Sequence, residues 1–406
     1  MKHLDVINNR QTQDSEVPGT FEEDRGEGRL WQMQDERVDI CSLDLQGMET
    51  WMASLGERPY RAKQVFKWLH ERRVQSFEEM TDIKKVLRER LSREATITWP
   101  VISDVKVSSD GTRKYQLQTV DGHLIESVFI PRASGPDRNA LCISSQVGCA
   151  LGCRFCATAS LKLKRHLVPG EIIGQYHAVL NDLEKACPEY FESDEGKAAR
   201  PITNIVYMGM GEPLHNYDGV VQSIRLFTEE HGAGLSPRRL TVSTSGMVPA
   251  IKRLGLDTNV HIAISLNASN DSVRSEIMPI NKKWDIEALL DACEAFSMDR
   301  RRRITFEYVM LAGLNDTNED AHRLIRLLKG MRSKVNLIPF NAHPLSPYQR
   351  PSDERVESFR AILEAAHFSV FVRTTRGDDI DAACGMLGAK KLEAAREQEG
   401  HVLSSN

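Results

Sequence analysis

No apolar run in the sequence approaches the 18 or more residues that a membrane-spanning helix needs. The first twenty residues, MKHLDVINNRQTQDSEVPGT, also lack the apolar core and small-residue cleavage site of a signal peptide. A cytoplasmic location is therefore expected, with no membrane partner. At 41% hydrophobic and 27% charged, the composition excludes wholesale disorder and collagen-like repeats. The 406 residues suffice for two or three units of roughly 150 residues each. A cytoplasmic chain of this size needs no disulfide staples, so the eight cysteines require another explanation. They are Cys41, Cys142, Cys149, Cys153, Cys156, Cys187, Cys293 and Cys384.

The net charge of -4 conceals an asymmetry, because residues 1–40 hold ten Asp or Glu against five Lys or Arg. Residues 1–42 show little apolar periodicity and are expected to form an acidic mobile leader. Residues 43–100 read as helical, in the runs LDLQGMETWMASLGE, YRAKQVFKWLHERRV and SFEEMTDIKKVLRERL. Within them, Arg58, Arg61, Lys63, Lys67, Arg72 and Arg73 interleave with Tyr60, Phe66 and Trp68, a mixture that suits a phosphate-binding surface. A core-facing Phe66 and Trp68 beneath a solvated charged face would give the same pattern.

Strand periodicity follows over residues 101–138, with breaks at Asp110-Gly111 and Asp121-Gly122 that suit tight hairpins. A three-stranded meander linking two larger units is expected, with Glu126 in its last strand. Over residues 139–390 six strands alternate with helical segments, the pattern of parallel α/β architecture. A partial (β/α)6 barrel is preferred to a doubly wound sheet, because distinctive polar residues recur at the C-terminal ends of successive strands. Residues 186–200 read as a polar surface insertion, and residues 391–406 as a C-terminal tail.

The first of those strand ends carries Cys149, Cys153 and Cys156 in C-x3-C-x2-C spacing. Four thiolates saturate a cubane iron-sulfur cluster, whereas three leave one iron open to an external ligand. A closed structural zinc site needs a fourth ligand that this loop does not supply. Further along the rim come Gly211 and Glu212 in MGMGEP, Ser243, then Ser265, Leu266 and Asn267, and finally Asn341. Taken singly each could cap a loop; together they could bind ribose, carboxylate and adenine edges. Of the five other cysteines two stand out, Cys142 ahead of the loop and Cys384 in TTRGDDIDAACGML, either of which could be a buried free thiol.

The cysteine spacing, with Phe155 just before the last cysteine, resembles the cluster loop of the radical S-adenosylmethionine superfamily. That resemblance implies a 4Fe-4S cluster on Cys149, Cys153 and Cys156, whose open iron chelates S-adenosylmethionine. It also implies cofactor contacts from Phe155, Gly211, Glu212, Ser243, Ser265, Leu266, Asn267 and Asn341. The combination of SSQVGCALGCRFCATA, MGMGEP, LIPFN and RGDDIDAACG resembles the family of dual-specificity ribosomal and transfer RNA adenine-C2 methyltransferases, from about residue 43 to residue 387. On that resemblance Cys384 carries the methyl group, Cys142 resolves the intermediate through a transient disulfide, and Glu126 accepts a proton. The implied partners are 23S ribosomal RNA, transfer RNA and an electron donor such as flavodoxin with its reductase, and the chain is expected to be a monomer.

Phosphate contacts are expected from the helical patch, from Lys162, Lys164 and Arg165, and from Arg300, Arg301, Arg302 and Arg303, with at least two of these last four expected to have structural partners. Competing readings are an adenine-C8 methyltransferase with the same cysteine pair, a peptide-modifying radical enzyme or iron-sulfur maturation factor, and an RNA-binding redox sensor. Enzymes of the second kind commonly add cysteine-rich motifs, and none follows Cys156. The third leaves Cys142 and Cys384 unexplained.

Overall fold

The computed structural model describes residues 6–8, 30–32, 37–131, 139–188, 200–298 and 303–388. Most of the expected leader, the C-terminal tail and Arg300, Arg301 and Arg302 lie outside the described residues. Short strands β1 (Val6–Asn8), β2 (Leu30–Gln32), β3 (Val38–Asp39) and β4 (Ala95–Thr96) form one sheet in that order. Between β3 and β4 run helices α1 (Leu45–Ser54), α2 (Pro59–His70) and α3 (Lys85–Glu94). Asp44 caps α1 by accepting the Gly47 N–H at 2.8 Å, and Pro59 opens α2 where no amide donor is needed. Their apolar faces, Met48, Trp51 and Met52 on one and Val65, Phe66 and Leu69 on the other, are buried together.

This unit begins earlier than expected. Val38, Asp39, Ile40, Cys41 and Ser42 are buried, so the end of the expected leader is packed structure. The Asp39 carboxylate accepts the Cys41 N–H at 3.1 Å, the Thr98 hydroxyl at 2.8 Å and the Ser42 hydroxyl. Ser42 in turn accepts the Gly170 N–H at 2.8 Å and so joins the helical unit to the larger one. Burial pushes the Asp39 carboxyl up to about 7. A five-residue buried run behind an acidic stretch is too short to register as periodicity.

Strands β5 (Val101–Val107), β6 (Arg113–Gln118) and β7 (Leu124–Ile130) form the antiparallel meander, with turns at both Asp-Gly pairs. The meander does more than link. Strand β7 pairs antiparallel with β8 (Ala140–Cys142), Val128 opposite Cys142, which makes it part of one ten-stranded sheet. After β8 the chain forms a small hairpin from β9 (Gln146–Val147) and β10 (Arg165–His166), with the one-turn helix α4 (Ala157–Ser160) between them.

Parallel strands β11 (Asn204–Tyr207), β12 (Leu240–Thr244), β13 (His261–Ser265), β14 (Ile304–Met310) and β15 (Ser333–Pro339) continue from β8 in sequence order. Helices α5 (Pro169–Ala186), α6 (Tyr217–Thr228), α7 (Val248–Asp257), α8 (Asp271–Ile277), α9 (Ile286–Met298), α10 (Asn318–Leu328) and α11 (Asp353–Ala365) supply the crossovers. The strands bury residues on both faces, Ile262, Ala263 and Ile264 in β13 for example, as a helix-covered parallel sheet requires. A seventh parallel strand that the sequence reading missed, β16 (Val370–Val372), pairs with β15 and delivers the chain to the Cys384 loop. It spans three residues and exposes Phe371, so its pattern carries little signal. All seven parallel strands end on one rim. Among the described residues no helix is long and apolar enough to cross a membrane.

Candidate active site

The loop after β8 is shaped by its backbone. Gly148 has φ +79°, and a Cβ there would lie 1.7 Å from the Lys162 carbonyl oxygen across the β9 and β10 hairpin. Only glycine permits that approach. Cys149, Cys153 and Cys156 follow and line a cavity of about 150 Å³ at the rim. Burial pushes the Cys153 thiol up to about 12, with the neighbouring Cys156 adding to the shift, and the Cys149 thiol is raised by burial and then by Cys153. Such thiols would become thiolates here only with positive charge beside them, which bound iron supplies. Among the described residues no three His, Cys, Asp or Glu side chains converge tightly enough for one metal ion.

Opposite the loop, the MGMGEP turn ends β11. Gly211 has φ +103°, and a Cβ would press to 2.6 Å from Cβ of Gln146, whose Oε1 accepts the Glu212 N–H at 2.8 Å. The buried Glu212 carboxylate accepts amides from Ser245 at 2.8 Å and Leu214 at 3.1 Å while lining the cavity. Desolvation raises its carboxyl above the usual range, and those hydrogen bonds oppose the shift. A cationic ammonium group would relieve that desolvated charge.

Phe155, Ser243, Ser265, Asn267 and Asn341 line the same cavity, as Gly211 does. Leu266 does not. Its side chain is fully buried, and its N–H donates to the Glu307 carbonyl at 3.0 Å. Asn267 adopts φ +56° and spends its Oδ1 on the Val309 N–H at 2.8 Å. Asn341 donates to the Cys384 carbonyl at 3.2 Å and accepts from the Thr375 hydroxyl at 3.0 Å, so it braces the C-terminal loop.

Cys384 stands exposed on the cavity wall. Cys142, buried at the end of β8, feels the charge of Cys384, and burial followed by that charge pushes its thiol up to about 12. Arg373 lies beside the pair, with Nη1 3.6 Å from Cys384 Sγ and 3.5 Å from the Glu307 carboxylate. Asn336 holds the other Glu307 oxygen at 2.9 Å. Glu126 is buried off the cavity, where Oε2 accepts the Gly388 N–H at 2.9 Å and pairs with Lys114 Nζ at 3.1 Å.

Arg373, Glu307 and Arg274 were not anticipated. Arg274 is fully buried and donates to the carbonyls of Ser245 at 2.7 Å, Leu266 at 3.0 Å and Ser265 at 3.3 Å, tying two strand ends together. One signal was available. Glu307 is the one charged residue inside the buried strand ITFEYVM.

The basic patches divide. Arg58 and Lys63 are exposed on the helical unit, and Arg61 lies 4.8 Å from the exposed Tyr60 ring. Phe66 and Trp68 face the core, however, with Arg72 stacked over Trp68 and Arg73 paired with Glu184 at 2.6 Å. Lys162 and Lys164 are exposed, but Arg165 is committed to Asp121 at 2.6 Å and to Glu171 at 2.7 Å. Arg165 is thus a structural ion pair rather than a free phosphate contact. Arg303, the described member of its run, donates to the Ser369 hydroxyl at 3.3 Å.

Three thiols on a loop at the C-terminal rim of a partial barrel, facing a buried carboxylate, define an enzyme of the radical S-adenosylmethionine class, and the Radical SAM superfamily model matches residues 143–328. Enzymes of this class use a 4Fe-4S cluster and S-adenosylmethionine. Residues 38–97 match the ribosomal RNA large subunit methyltransferase N-terminal domain. The chain is 49% identical to the dual-specificity RNA methyltransferase RlmN 2 of Myxococcus xanthus, covering 86% of this chain and 90% of that protein. It is 48% identical to the dual-specificity RNA methyltransferase RlmN of an Anaeromyxobacter species, covering 87% and 91%. A crystal structure of a radical SAM methyltransferase from Sphaerobacter thermophilus superposes with a TM-score of 0.79 at 40% identity, covering 86% of this chain and 99% of that one. The chain belongs to the dual-specificity RNA methyltransferase (RlmN) family.

Proposed function

We propose that the protein methylates C2 of adenine in 23S ribosomal RNA and in transfer RNA, with Cys384 carrying the methyl group and Cys142 releasing the product. The observation that carries this reading is Cys384 beside Arg373 on the wall of a cavity lined by three more thiols, with Cys142 near enough to feel its charge. Adenine C2 is electron-poor and bears hydrogen, so direct polar transfer from a sulfonium cannot methylate it. A methyl group parked on the protein solves the problem.

Cys149, Cys153 and Cys156 would hold the cluster, and Glu212 with the carbonyls of its turn would receive the amino group of S-adenosylmethionine. When bound, the cluster and its S-adenosylmethionine supply the radical that removes hydrogen from the methyl on Cys384. Cys384 first takes that methyl from another S-adenosylmethionine, forming a sulfur-carbon bond as the sulfonium bond breaks. Once the carbon has joined C2, the C2 proton leaves to a base and one surplus electron leaves with it, which the oxidised cluster would take back. The Cys142 thiolate then attacks the Cys384 sulfur, forming the disulfide as the sulfur-carbon bond breaks; the freed carbon takes a proton to complete the methyl group, and an external dithiol restores both thiols. Glu126 is the base we propose; it must exchange its contacts with Lys114 and Gly388 to reach the adenine.

An adenine reaches a barrel rim only when unstacked, so the substrate is a loop or single-stranded region. The helical unit, from residue 38, would bind it through Arg58, Arg61 and Lys63, with Lys162 and Lys164 helping beside the cluster loop. Charge reversal at Arg61, Lys63 and Lys67 should weaken transfer RNA binding roughly tenfold or more at low salt and flatten its salt dependence. An unchanged affinity and slope would remove this patch from the interface. We further propose a monomer working in the cytoplasm, reduced by flavodoxin and its reductase or a similar donor.

Anaerobic reconstitution, followed by S-adenosylmethionine, reductant and RNA fragments, should yield 2-methyladenosine by nucleoside mass spectrometry. Finding only 8-methyladenosine, or no RNA product from protein with an intact cluster, would overturn the assignment.

A further inference from the structure

We propose that Lys114 is a positioning residue for Cys384, and that the β-meander acts as a clamp on the loop that carries it. The proposal rests on the reading of Cys384 as the methyl carrier. The meander grips residues 376–388 at four places remote in sequence. Asp110 accepts the Gly377 N–H at 3.3 Å and pairs with Arg376 at 3.6 Å. Asp379 accepts the Ser108 hydroxyl at 2.6 Å and the Ser109 N–H at 3.1 Å. Lys114 donates to the Asp381 carbonyl at 3.0 Å, and Glu126 accepts the Gly388 N–H at 2.9 Å.

Lys114 unites the last two anchors. Its Nζ lies 3.1 Å from Glu126, so one ammonium holds the backbone before Cys384 directly and the backbone after it through a carboxylate. The lysine is only 7% exposed, and a desolvated ion pair whose remaining hydrogen bonds are satisfied fixes geometry more strictly than a surface pair does. From the other side, Ala157 donates to the Gly385 carbonyl at 2.7 Å and Thr158 to that of Leu387 at 2.9 Å. Cys384 is thereby held between the cluster loop and the meander. Removing the ammonium takes its hydrogen bond from the Asp381 carbonyl and its charge from Glu126, which keeps the Gly388 N–H. The loop can then swing, and a sulfur displaced by about 1 Å costs on the order of 10²-fold in rate.

The test uses full-length holoenzyme carrying Lys114→Met or Lys114→Arg, followed by hydrogen exchange and by the mass of the Cys384 peptide after incubation with S-adenosylmethionine. With Met, amide exchange across 378–388 should accelerate about tenfold or more while the barrel strands keep their protection. Methyl loading of Cys384 should slow about 10²-fold with KM for RNA unchanged, and Arg should restore most of the loss. Unchanged exchange and loading with Met would overturn the proposal, as would equal loosening of the barrel strands. Should the Met variant not fold, Ser108→Ala at the outer anchor should speed exchange around residue 379 and slow loading severalfold; no change there would also overturn it. A wild-type Cys384 that never takes a methyl would refute the functional reading instead, while the exchange data would still report on the clamp.

Discussion

Replacing Cys142 with Ala should convert the enzyme into one that stays covalently attached to its RNA through Cys384. Loss of the Cys142 sulfur leaves the bridging sulfur-carbon bond with no protein thiol positioned to attack it, so methylation should halt after one addition. Free turnover should fall on the order of 10³-fold or more, while a protein-RNA adduct accumulates toward one per active site. The substitution removes one buried atom at the end of β8 and leaves the strand's pairing with β7 and β11 intact, so the fold should persist. Denaturing gel electrophoresis and peptide mapping would read the result. Multiple turnovers of free product in this variant would reject the release step.

The second large effect is expected at a residue that takes no part in the chemistry itself. Gly148→Ala places a Cβ 1.7 Å from the Lys162 carbonyl oxygen, and its left-handed backbone strains any side chain in addition. The obstacle is backbone, held in turn by the hydrogen bond from Lys164 N–H to the Val147 carbonyl at 2.8 Å, so no side chain can rotate away. Relief requires opening the hairpin that precedes Cys149. Iron content after anaerobic reconstitution should fall at least about tenfold relative to wild type, with the barrel's far-ultraviolet signal retained. Normal iron loading would show that the cluster loop does not depend on this turn.

The parts legible in the sequence are those that local spacing encodes. Cys149, Cys153 and Cys156 lie within eight residues, and Gly211, Glu212, Ser243, Ser265, Asn267 and Asn341 each lie at or just after the end of a strand whose pattern marks where it ends. Leu266 follows the last residue of β13, between Ser265 and Asn267 on the cavity wall, and its own side chain turns into the core.

The illegible parts depend on pairing across long separations. Nothing in the local pattern says that Arg373 meets Glu307 and Cys384, that Arg165 is neutralised by Asp121 and Glu171, or that Lys114 reaches Asp381. The meander likewise reads as a linker in one dimension. Only its pairing with β8 and its hydrogen bonds to residues 376–388 tie it to the loop that carries Cys384.

On the proposed mechanism the transferred carbon rests on Cys384 before it reaches RNA. Protein loaded with an isotopically labelled methyl from S-adenosylmethionine, freed of donor, and then given RNA with unlabelled S-adenosylmethionine measures this directly. The label should leave the Cys384 peptide and appear in 2-methyladenosine during the first turnover. A first-turnover product carrying only unlabelled methyl, with the label still on the protein, would contradict the account.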